Sequence, residues 1–219
     1  MKILGIIPAR GGSKGIPKKN IKLLKGKPLI TYTIEAALSS SLARVIVSTD
    51  CEEIARISSE YGIEVMMRSE ELADDKTPTL PVLQDVVSKL DEKFDAVMTL
   101  QPTSPLRTVN DIDNSIKLFN SDKEADSLVS AVEVPHNFMP EKLMNLENGY
   151  LLGERKVQRR QDVKLMFARN GAAIYITKIE KLDEYIFGGK TLPYRMSKIN
   201  SFDIDDIEDW EMVEKLIEK

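Results

Sequence analysis

A glycine-rich, basic stretch near the start of the chain carries the clearest chemical signal. Residues 8–20 read PARGGSKGIPKKN, with three glycines, four cationic side chains and no acidic one. Glycines let a loop turn its backbone N–H groups towards an anion, and the cations add charge, so the composition favours phosphate binding. Pro17 and the lack of a GKS or GKT ending argue against a Walker-type loop, and G-x-G-x-x-G is absent. A surface hairpin with solvated lysines is the alternative.

Two aspartates near the C-terminus, Asp203 and Asp205, form a second candidate group. If the segment is extended, both carboxylates point to one face while Phe202 and Ile204 point to the other. Neighbouring carboxylates repel each other unless a cation lies between them, and Mg²⁺ prefers such hard oxygen ligands together with substrate phosphates. An acidic helix N-terminus is the alternative, and we interpret Asp206 and the acids after it in that way.

A proline-rich turn, QPTSP at 101–105, presents Gln101, Thr103 and Ser104 just after an apolar run. Such neutral side chains suit the recognition of substrate hydroxyl or carboxylate groups, and a plain β-turn is the alternative. The single histidine, His136, lies in a loop without a G-x-S-x-G motif. A serine or cysteine nucleophile activated by histidine is therefore not expected, and a histidine-based zinc site lacks ligands.

The elements that must position these groups alternate along the chain. The predicted strands are 2–8, 44–49, 63–67, 95–100, 127–134 and 171–177. The predicted helices are 28–40, 51–61, 79–91, 109–120 and 206–218. Alternation of this kind predicts an α/β fold with a doubly wound, mostly parallel, Rossmann-like sheet. Because ligands bind beyond the carboxyl ends of such strands, residues 8–20, 48–50 and 101–107 should converge there.

Local signals refine this outline at two places. Asp50 and Glu53 fit a capping box at the start of the second helix, with an acid in place of serine or threonine. Residues 135–169 lack a clear period, so we predict an insertion that leaves the main sheet of a single domain spanning 1–219.

The bulk composition excludes several classes of protein. A net charge of −4 gives no reason to expect a nucleic-acid partner, and the single cysteine, Cys51, excludes an intrachain disulfide. Neither a signal peptide nor an apolar run long enough to cross a membrane is evident. We therefore expect a soluble, cytoplasmic protein.

Taken in order, the motifs resemble the acylneuraminate cytidylyltransferases, also called CMP-sialic acid synthetases. After PARGGSKGIPKKN the resemblance continues through STD (48–50), RS (68–69), LQPTSPLR (100–107), RRQD (159–162), NGA (170–172) and DIDD (203–206). Each string is weak alone, but together they are specific and span nearly the whole chain. The resemblance implies a fold of the nucleotidyltransferase type whose insertion is a small dimerisation and substrate-capping subdomain.

The resemblance also implies roles for individual residues. The expected nucleotide-binding residues are Arg10, Gly12, Ser13, Lys14, Lys19, Asn20, Arg68, Thr77 and Thr79. The expected residues for the sugar acid are Gln101, Thr103, Ser104, Lys142, Arg160, Gln161 and Tyr194. The expected catalytic residues are Lys19, Arg160, Asp203 and Asp205, and the two aspartates would bind one or two Mg²⁺ ions. Arg159 is the alternative to Arg160, and the spacing to Asn170 favours Arg160. Arg169 departs from the pattern of some relatives, because Ala168 separates it from the preceding aromatic residue.

The reaction implied by the resemblance joins CTP to a nine-carbon 2-keto sugar acid, N-acetylneuraminic or legionaminic-type, and releases pyrophosphate. The enzyme would be a homodimer that binds no nucleic acid and no membrane. One alternative is cytidylyl transfer to an eight-carbon acid such as 3-deoxy-manno-octulosonate, although RRQD and KGIPKKN fit that family poorly. A non-catalytic nucleotide-sugar sensor is another, and the intact Arg10, Asp203 and Asp205 argue against it.

Overall fold

A mixed β-sheet forms the centre of the molecule. The computed structural model describes residues 1–74, 77–153, 165–169, 171 and 173–217. The strands are β1 (Ile3–Pro8), β2 (Leu23–Leu24), β3 (Lys27–Pro28), β4 (Arg44–Thr49), β5 (Glu64–Met67), β6 (Ala96–Thr99), β7 (Ser127–Glu133), β8 (Asn145–Glu147), β9 (Tyr150–Leu152), β10 (Phe167–Arg169), β11 (Tyr175–Lys178) and β12 (Thr191–Arg195). The α-helices are α1 (Leu29–Leu38), α2 (Glu52–Glu60), α3 (Thr79–Ser88), α4 (Val109–Ser121) and α5 (Ile207–Ile217).

The strand order creates a switch point beside β1. The main sheet runs β10-β7-β11-β6-β1-β4-β5, and β12 pairs with β7. Strands β6, β1, β4 and β5 are mutually parallel, whereas β11 runs antiparallel to both β6 and β7. The chain winds outward from β1 through β4 to β5 and then returns to place β6 on the other side of β1. The predicted doubly wound, mostly parallel sheet is confirmed, and its switch point lies between β1 and β6.

Side chains of β1 alternate between two apolar layers. Ile3 and Ile7 pack in the layer that also contains buried residues of α1, α2 and α4. Leu4 and Ile6 pack on the opposite face, in a layer with α3. Since both faces of β1 are covered, the strand reads as a continuous apolar run rather than an alternating one.

The capping box predicted at Asp50 and Glu53 is wrong. Helix α2 begins after Cys51, which makes no side-chain cap, and the Asp50 carboxylate instead accepts hydrogen bonds from Gly11 N and Arg68. A capping box does form at α4, where the Thr108 and Asp111 side chains each accept a hydrogen bond from the other's backbone N–H. Asp50 is therefore used by the site rather than by the helix.

The predicted insertion returns to the sheet earlier than expected. Strands β8 and β9 form a separate hairpin, paired only with each other among the described residues. Strand β10, Phe167–Arg169, already pairs with β7, so the predicted boundary at residue 169 is too late. Residues 154–164, which include RRQD, lie outside the described residues.

The C-terminal helix packs on the loops rather than on the sheet. Trp210 and Val213 of α5 share an apolar cluster with Ile16, Leu24 and Ile204. Ile207, predicted on the same stripe, is instead half exposed. None of the helices in the described part of the chain is long and apolar enough to cross a membrane.

Candidate active site

A cleft of about 440 Å³ opens at the carboxyl ends of the parallel strands. Its walls come from the basic loop after β1, the segment after β5, the start of α3, the turn after β6 and the acidic segment before α5. The predicted site residues that line it are Arg10, Ser13, Lys14, Lys19, Asn20, Arg68, Thr77, Thr79, Gln101, Thr103 and Asp205. Segments far apart in sequence therefore converge at the switch point, as expected for a sheet of this topology.

Hydrogen bonds from two of its side chains fix the basic loop. Asn20 is buried and donates from Nδ2 to the Arg10 carbonyl oxygen at 2.9 Å, which closes the loop on itself. Lys19 Nζ donates to the carbonyl oxygen of Ile204 at 2.6 Å and so joins the loop to the acidic segment. An ammonium group has three N–H donors, so this bond leaves Lys19 able to donate to a phosphate as well.

Gly15 allows the close approach between these two segments. A Cβ atom at this position would lie 2.6 Å from the carbonyl oxygen of Asp205, which is closer than real contacts allow. Lys18, by contrast, has a left-handed backbone conformation and pairs with Glu53 of α2 at 2.8 Å. The fourth cation of the loop therefore points away from the cleft.

Asp50, at the end of β4, links the loop to a buried arginine. Its Oδ1 accepts from Gly11 N at 3.2 Å and from Arg68 at 3.5 Å. Burial lowers the pKa of Arg68, and the Asp50 carboxylate opposes that shift. The sequence analysis gave Asp50 no functional role; its place in STD, directly after a strand that ends at the site, was the signal.

The acidic segment 202–205 has no regular secondary structure, and its side chains differ in burial. Ile204 is fully buried, whereas Asp205 is exposed and lines the cleft. Asp203 accepts a hydrogen bond from Ser104 Oγ at 3.2 Å. Gly171 packs against its other oxygen so closely that a Cβ there would lie 2.5 Å away. The turn after β6 and the chain entering β11 thus hold Asp203 from two sides.

The donor chemistry of this segment suits a divalent cation that also binds the substrate. Partial burial and the neighbouring Asp203 carboxylate raise the pKa of Asp205, while Lys19 opposes the shift. Two carboxylates that disfavour each other's charge would be relieved by a cation between them. Among the described residues, no group of three or more His, Cys, Asp or Glu side chains could hold a metal unaided. Two carboxylates completed by phosphate oxygens match the preference of Mg²⁺.

Asp206 behaves differently from the two aspartates before it. Its Oδ1 accepts from the backbone N–H groups of Glu208 and Asp209, at 2.9 and 3.0 Å. The interpretation of Asp206 as a helix cap is confirmed.

The turn after β6 is held by a buried arginine that the sequence analysis did not assign. Arg107 donates from one guanidinium nitrogen to the carbonyl oxygens of Gln101 and Ala173, at 3.2 and 2.7 Å. Its other terminal nitrogen donates to Thr33 Oγ1 at 2.7 Å. Burial lowers the pKa of Arg107 to about 10, with Asp111 and Asp203 opposing the shift. A charged residue directly after the apolar Pro105-Leu106 was the only signal in the sequence.

Several predicted residues lie elsewhere. Gly12 lines a neighbouring cavity of about 310 Å³ on the α2 side of the loop. Lys142 is exposed in the inserted segment, and Tyr194 donates its hydroxyl hydrogen to Asp111 at 3.1 Å. Burial and Asp111 raise the pKa of Tyr194 to about 12. Arg160 and Gln161 lie outside the described residues, so the binding roles of these residues stay predictions.

Arg169, left without a role by the sequence analysis, belongs to a group of aromatic contacts beside β11. It donates to the Tyr175 hydroxyl oxygen at 2.9 Å and stacks over Phe187 with its guanidinium carbon 4.3 Å from the ring centre. Tyr175 and Phe187 also contact each other, with ring centres 5.2 Å apart. Burial raises the pKa of the Tyr175 hydroxyl; the Arg169 cation opposes this shift, and the Asp203 carboxylate adds to it.

Comparisons with known proteins agree on one family. A family profile described as cytidylyltransferase matches residues 4–219. The N-acylneuraminate cytidylyltransferase of Streptococcus agalactiae is 38% identical over 218 residues, which cover 96% of this chain and 52% of that protein. The CMP-N,N'-diacetyllegionaminic acid synthase of Legionella pneumophila is 36% identical over 232 residues, covering 100% of this chain and 97% of that protein. The chain thus spans about half the length of the first relative and nearly all of the second.

Solved structures share the fold. CMP:2-keto-3-deoxy-manno-octonic acid synthetase complexed with CTP superimposes with a TM-score of 0.77, covering 100% of this chain and 99% of that one. The sequence identity is 18%, so the likeness concerns the fold alone.

Proposed function

We propose that this chain, which belongs to the cytidylyltransferase family, transfers the cytidylyl group of CTP to a nine-carbon 2-keto sugar acid and releases pyrophosphate. The observation that carries this proposal is the cleft in which the basic loop faces Asp205 across the switch point of the sheet. Such a cleft offers cations for a triphosphate on one side and carboxylates on the other. The names of the two curated relatives support the same class of reaction.

The chain's own residues supply position and charge to this reaction. The anomeric 2-hydroxyl of the sugar acid attacks the α-phosphorus, and the bond between that phosphorus and the oxygen bridging to the β-phosphate breaks. Pyrophosphate leaves with the bridging oxygen, and the hydroxyl proton passes to solvent water. Arg10, Lys14 and Lys19 bind the triphosphate and the pyrophosphate that leaves. Arg68 and Asn20 hold the nucleoside end, and the turn at 101–104 orients the acid, so that attack approaches a unimolecular process.

Asp203 and Asp205 are the residues that would hold Mg²⁺. When bound, the ion would neutralise phosphate charge and lower the pKa of a nearby hydroxyl. Ser104 and Gly171, which contact Asp203 from two sides, keep its carboxylate in place for that role. Whether one or two ions are used would be reported by the stoichiometry of Mn²⁺ bound in the presence of CTP.

The inserted segment supports a homodimer. Large apolar side chains are exposed along it: Phe138, Leu143, Met144, Leu146, Tyr150, Leu151 and Leu152. Large exposed apolar patches mark interaction sites on proteins, and these residues lie close together in sequence. A second copy of the chain would cover this surface and could bring Lys142 to a neighbouring cleft. We place the reaction in the cytoplasm, where CTP is available.

Pyrophosphate release, measured with CTP, Mg²⁺ and a panel of acids, tests the proposal. The panel contains N-acetylneuraminic acid, N,N'-diacetyllegionaminic acid and 3-deoxy-manno-octulosonate, with UTP as the control nucleotide. We expect release with CTP and a nine-carbon acid, and a slower reaction with UTP at limiting concentration. Activity with the eight-carbon acid alone would favour the first alternative, and tight binding without release would favour a sensor.

A further inference from the structure

Arg107 is a fully charged side chain placed where charge is unfavourable. It is 3% exposed, and its guanidinium nitrogen Nε has no hydrogen-bond partner among the described residues. Its hydrogen bonds to these residues go to two carbonyl oxygens and one hydroxyl oxygen, all uncharged, so the Asp111 and Asp203 carboxylates offset its charge without a direct hydrogen bond and burial still lowers its pKa. A buried cation in such surroundings destabilises a protein unless its geometry provides something that an apolar residue cannot.

The geometry joins three segments that are distant in sequence. The acceptors are Gln101 O in the turn after β6, Ala173 O in the chain that enters β11, and Thr33 Oγ1 on α1. A planar guanidinium donates from separate nitrogens in fixed directions, whereas a lysine donates from one nitrogen atom and an apolar side chain not at all. Arg107 uses both terminal nitrogens to connect the three segments, a reach that a single ammonium nitrogen does not have.

Two of these segments meet at Asp203. The turn supplies Ser104, whose hydroxyl donates to Asp203 Oδ1, and the chain before Ala173 supplies Gly171, which packs against Oδ2. The same turn provides the Thr103 carbonyl oxygen that accepts from Ile204 N at 2.8 Å. The position of the acidic segment therefore depends on the two segments that Arg107 ties together.

We propose that Arg107 is a positioning residue, which sets Asp203 and the 101–104 turn in register for the reaction. The three hydrogen bonds of Arg107 described above go to the turn, to the chain entering β11 and to α1, and none goes to the basic loop. This inference rests on the proposed function for its kinetic consequences. We predict different effects on catalysis and on CTP binding, because the hydrogen bonds of Arg107 go to the 101–104 turn and to the chain entering β11, the two segments that contact Asp203. Loss of Arg107 should lower kcat and raise KM for the sugar acid, with little change in the affinity for CTP alone.

Two threonines of α1 provide a matched pair of variants. Thr33 and Thr31 are both buried, but the Thr31 hydroxyl donates to Pro28 O, near the start of the helix. Thr33 Oγ1 accepts from Arg107 at 2.7 Å and donates to Gln101 O at 3.5 Å, so both of its bonds belong to the contacts of the turn. Thr33→Val and Thr31→Val each remove one buried hydroxyl without a change of shape. Arg107→Lys keeps the charge but loses the planar fork. None of the three substitutions empties a large volume, so each variant should fold.

The expected result is a selective loss. Arg107→Lys should lower kcat on the order of tenfold or more and Thr33→Val by a few-fold, roughly threefold, with Thr31→Val within about twofold of wild type. The Kd for CTP, measured by calorimetry without acid or Mg²⁺, should stay within about threefold for all three. The inference is overturned if Thr31→Val loses as much kcat as Thr33→Val, or if Arg107→Lys weakens CTP binding in proportion to kcat.

Amide hydrogen exchange separates this inference from the proposed function. The Ile204 N–H donates to the Thr103 carbonyl oxygen, so its exchange rate reports whether the turn still holds the acidic segment. Arg107→Lys and Thr33→Val should accelerate exchange at Ile204, and Thr31→Val should not. If wild type releases no pyrophosphate but these rates change as expected, the proposed function fails and the positioning role stands. Unchanged exchange at Ile204 in Arg107→Lys would overturn the positioning role itself.

Discussion

Three aspartates in four positions make different contacts before α5. Asp203 and Asp205 alternate with the buried Ile204, whereas Asp206 caps the helix through two backbone N–H groups. If the first two hold Mg²⁺, Asp205→Asn should keep the fold yet lose kcat on the order of 10²-fold or more, since a neutral oxygen ligand cannot offset the charge of the ion. Steady-state pyrophosphate release measures the effect.

Asp206→Asn is the matched control for that substitution. Asparagine caps helices about as well as aspartate, so only a charge near a helix N-terminus is lost, about 0.3–1 kcal/mol of stability. Its kcat should stay near that of wild type. If both variants keep kcat within about threefold of wild type, the acidic segment is structural and the metal assignment is wrong.

Asp50 should affect nucleotide binding rather than turnover. Its Oδ1 accepts from Gly11 N and from Arg68, so it connects the basic loop to Arg68. Asp50→Asn keeps an Oδ1 acceptor but removes the negative charge that offsets the burial of the Arg68 guanidinium. We expect KM for CTP to rise roughly tenfold with kcat little changed. A fall in kcat at saturating CTP without a change in KM would contradict this.

At the scale of single residues, the sequence patterns identified many residues of the cleft but not the contacts that hold them in place. The chemistry of Arg10, Lys14, Lys19 and Asp205 is visible in their types and neighbours, and the structure brings all four to one cleft. The contacts of Asp50 and Arg107 are not visible in the same way, because most of their hydrogen-bond partners are distant in sequence. The partners of Asp50 lie 18 and 39 positions away, and two of the three partners of Arg107 lie 66 and 74 positions away. No local pattern encodes such distant partners.

Among the elements, α5 is unusual because its apolar face packs mainly against loop residues and not against the central sheet. Trp210 packs with Ile16 of the basic loop and with Ile204 between the aspartates, and Lys22 Nζ lies 4.6 Å from the centre of its ring. Trp210→Ala should lower the free energy of unfolding by about 3–5 kcal/mol. Because both walls of the cleft lose a packing partner, we also expect weaker CTP binding, measured on folded protein by calorimetry.

Phe119→Ala is the comparison for that helix variant. Phe119 is fully buried in the layer between α4 and the sheet, so its removal should destabilise the protein to a similar degree. CTP affinity of the folded protein should be unchanged in this variant. Equal weakening in both variants would mean that general loosening, not α5, accounts for the loss.

Helices and long strands were predictable because each repeats its pattern over several turns or residues. Ile112, Ile116 and Phe119 are all buried on one face of α4, as their spacing predicts. The two-residue strands β2 and β3 are too short to show a period. Strand β12, TLPYR, contains a proline, which argues against a strand unless the residue lies where no ladder N–H is needed. That exception applies here, since β12 pairs only with β7 among the described strands.

At the scale of the whole molecule, the hairpin of β8 and β9 is notable because it exposes large apolar side chains in a single copy of the chain. Leu146 pairs with Leu151 across the hairpin and is 72% exposed. If this surface joins two copies, Leu146→Asp should yield a monomer by light scattering, since a buried unpaired charge disfavours association. The secondary structure of each copy should not change, because Leu146 contributes little to its own core.

Leu23→Asp tests whether any exposed leucine would give the same result. Leu23 is 61% exposed and also lies in a two-stranded hairpin, formed by β2 and β3. This variant should keep the mass of wild type. A wild-type protein that is monomeric and fully active at assay concentration would remove the dimer from the proposal.

The contact between Lys19 and Ile204 also constrains how the site is made during synthesis. The two residues are 185 positions apart, and Gly15 meets the backbone of Asp205 across a similar separation. The chain is synthesised from its N-terminus and its early residues emerge first, so β1, β4 and β5 can pair while the later residues are still being added. The basic loop therefore emerges early but gains its opposite wall only when the segment before α5 has left the exit tunnel. A nascent chain can therefore form the sheet well before it can form the complete cleft.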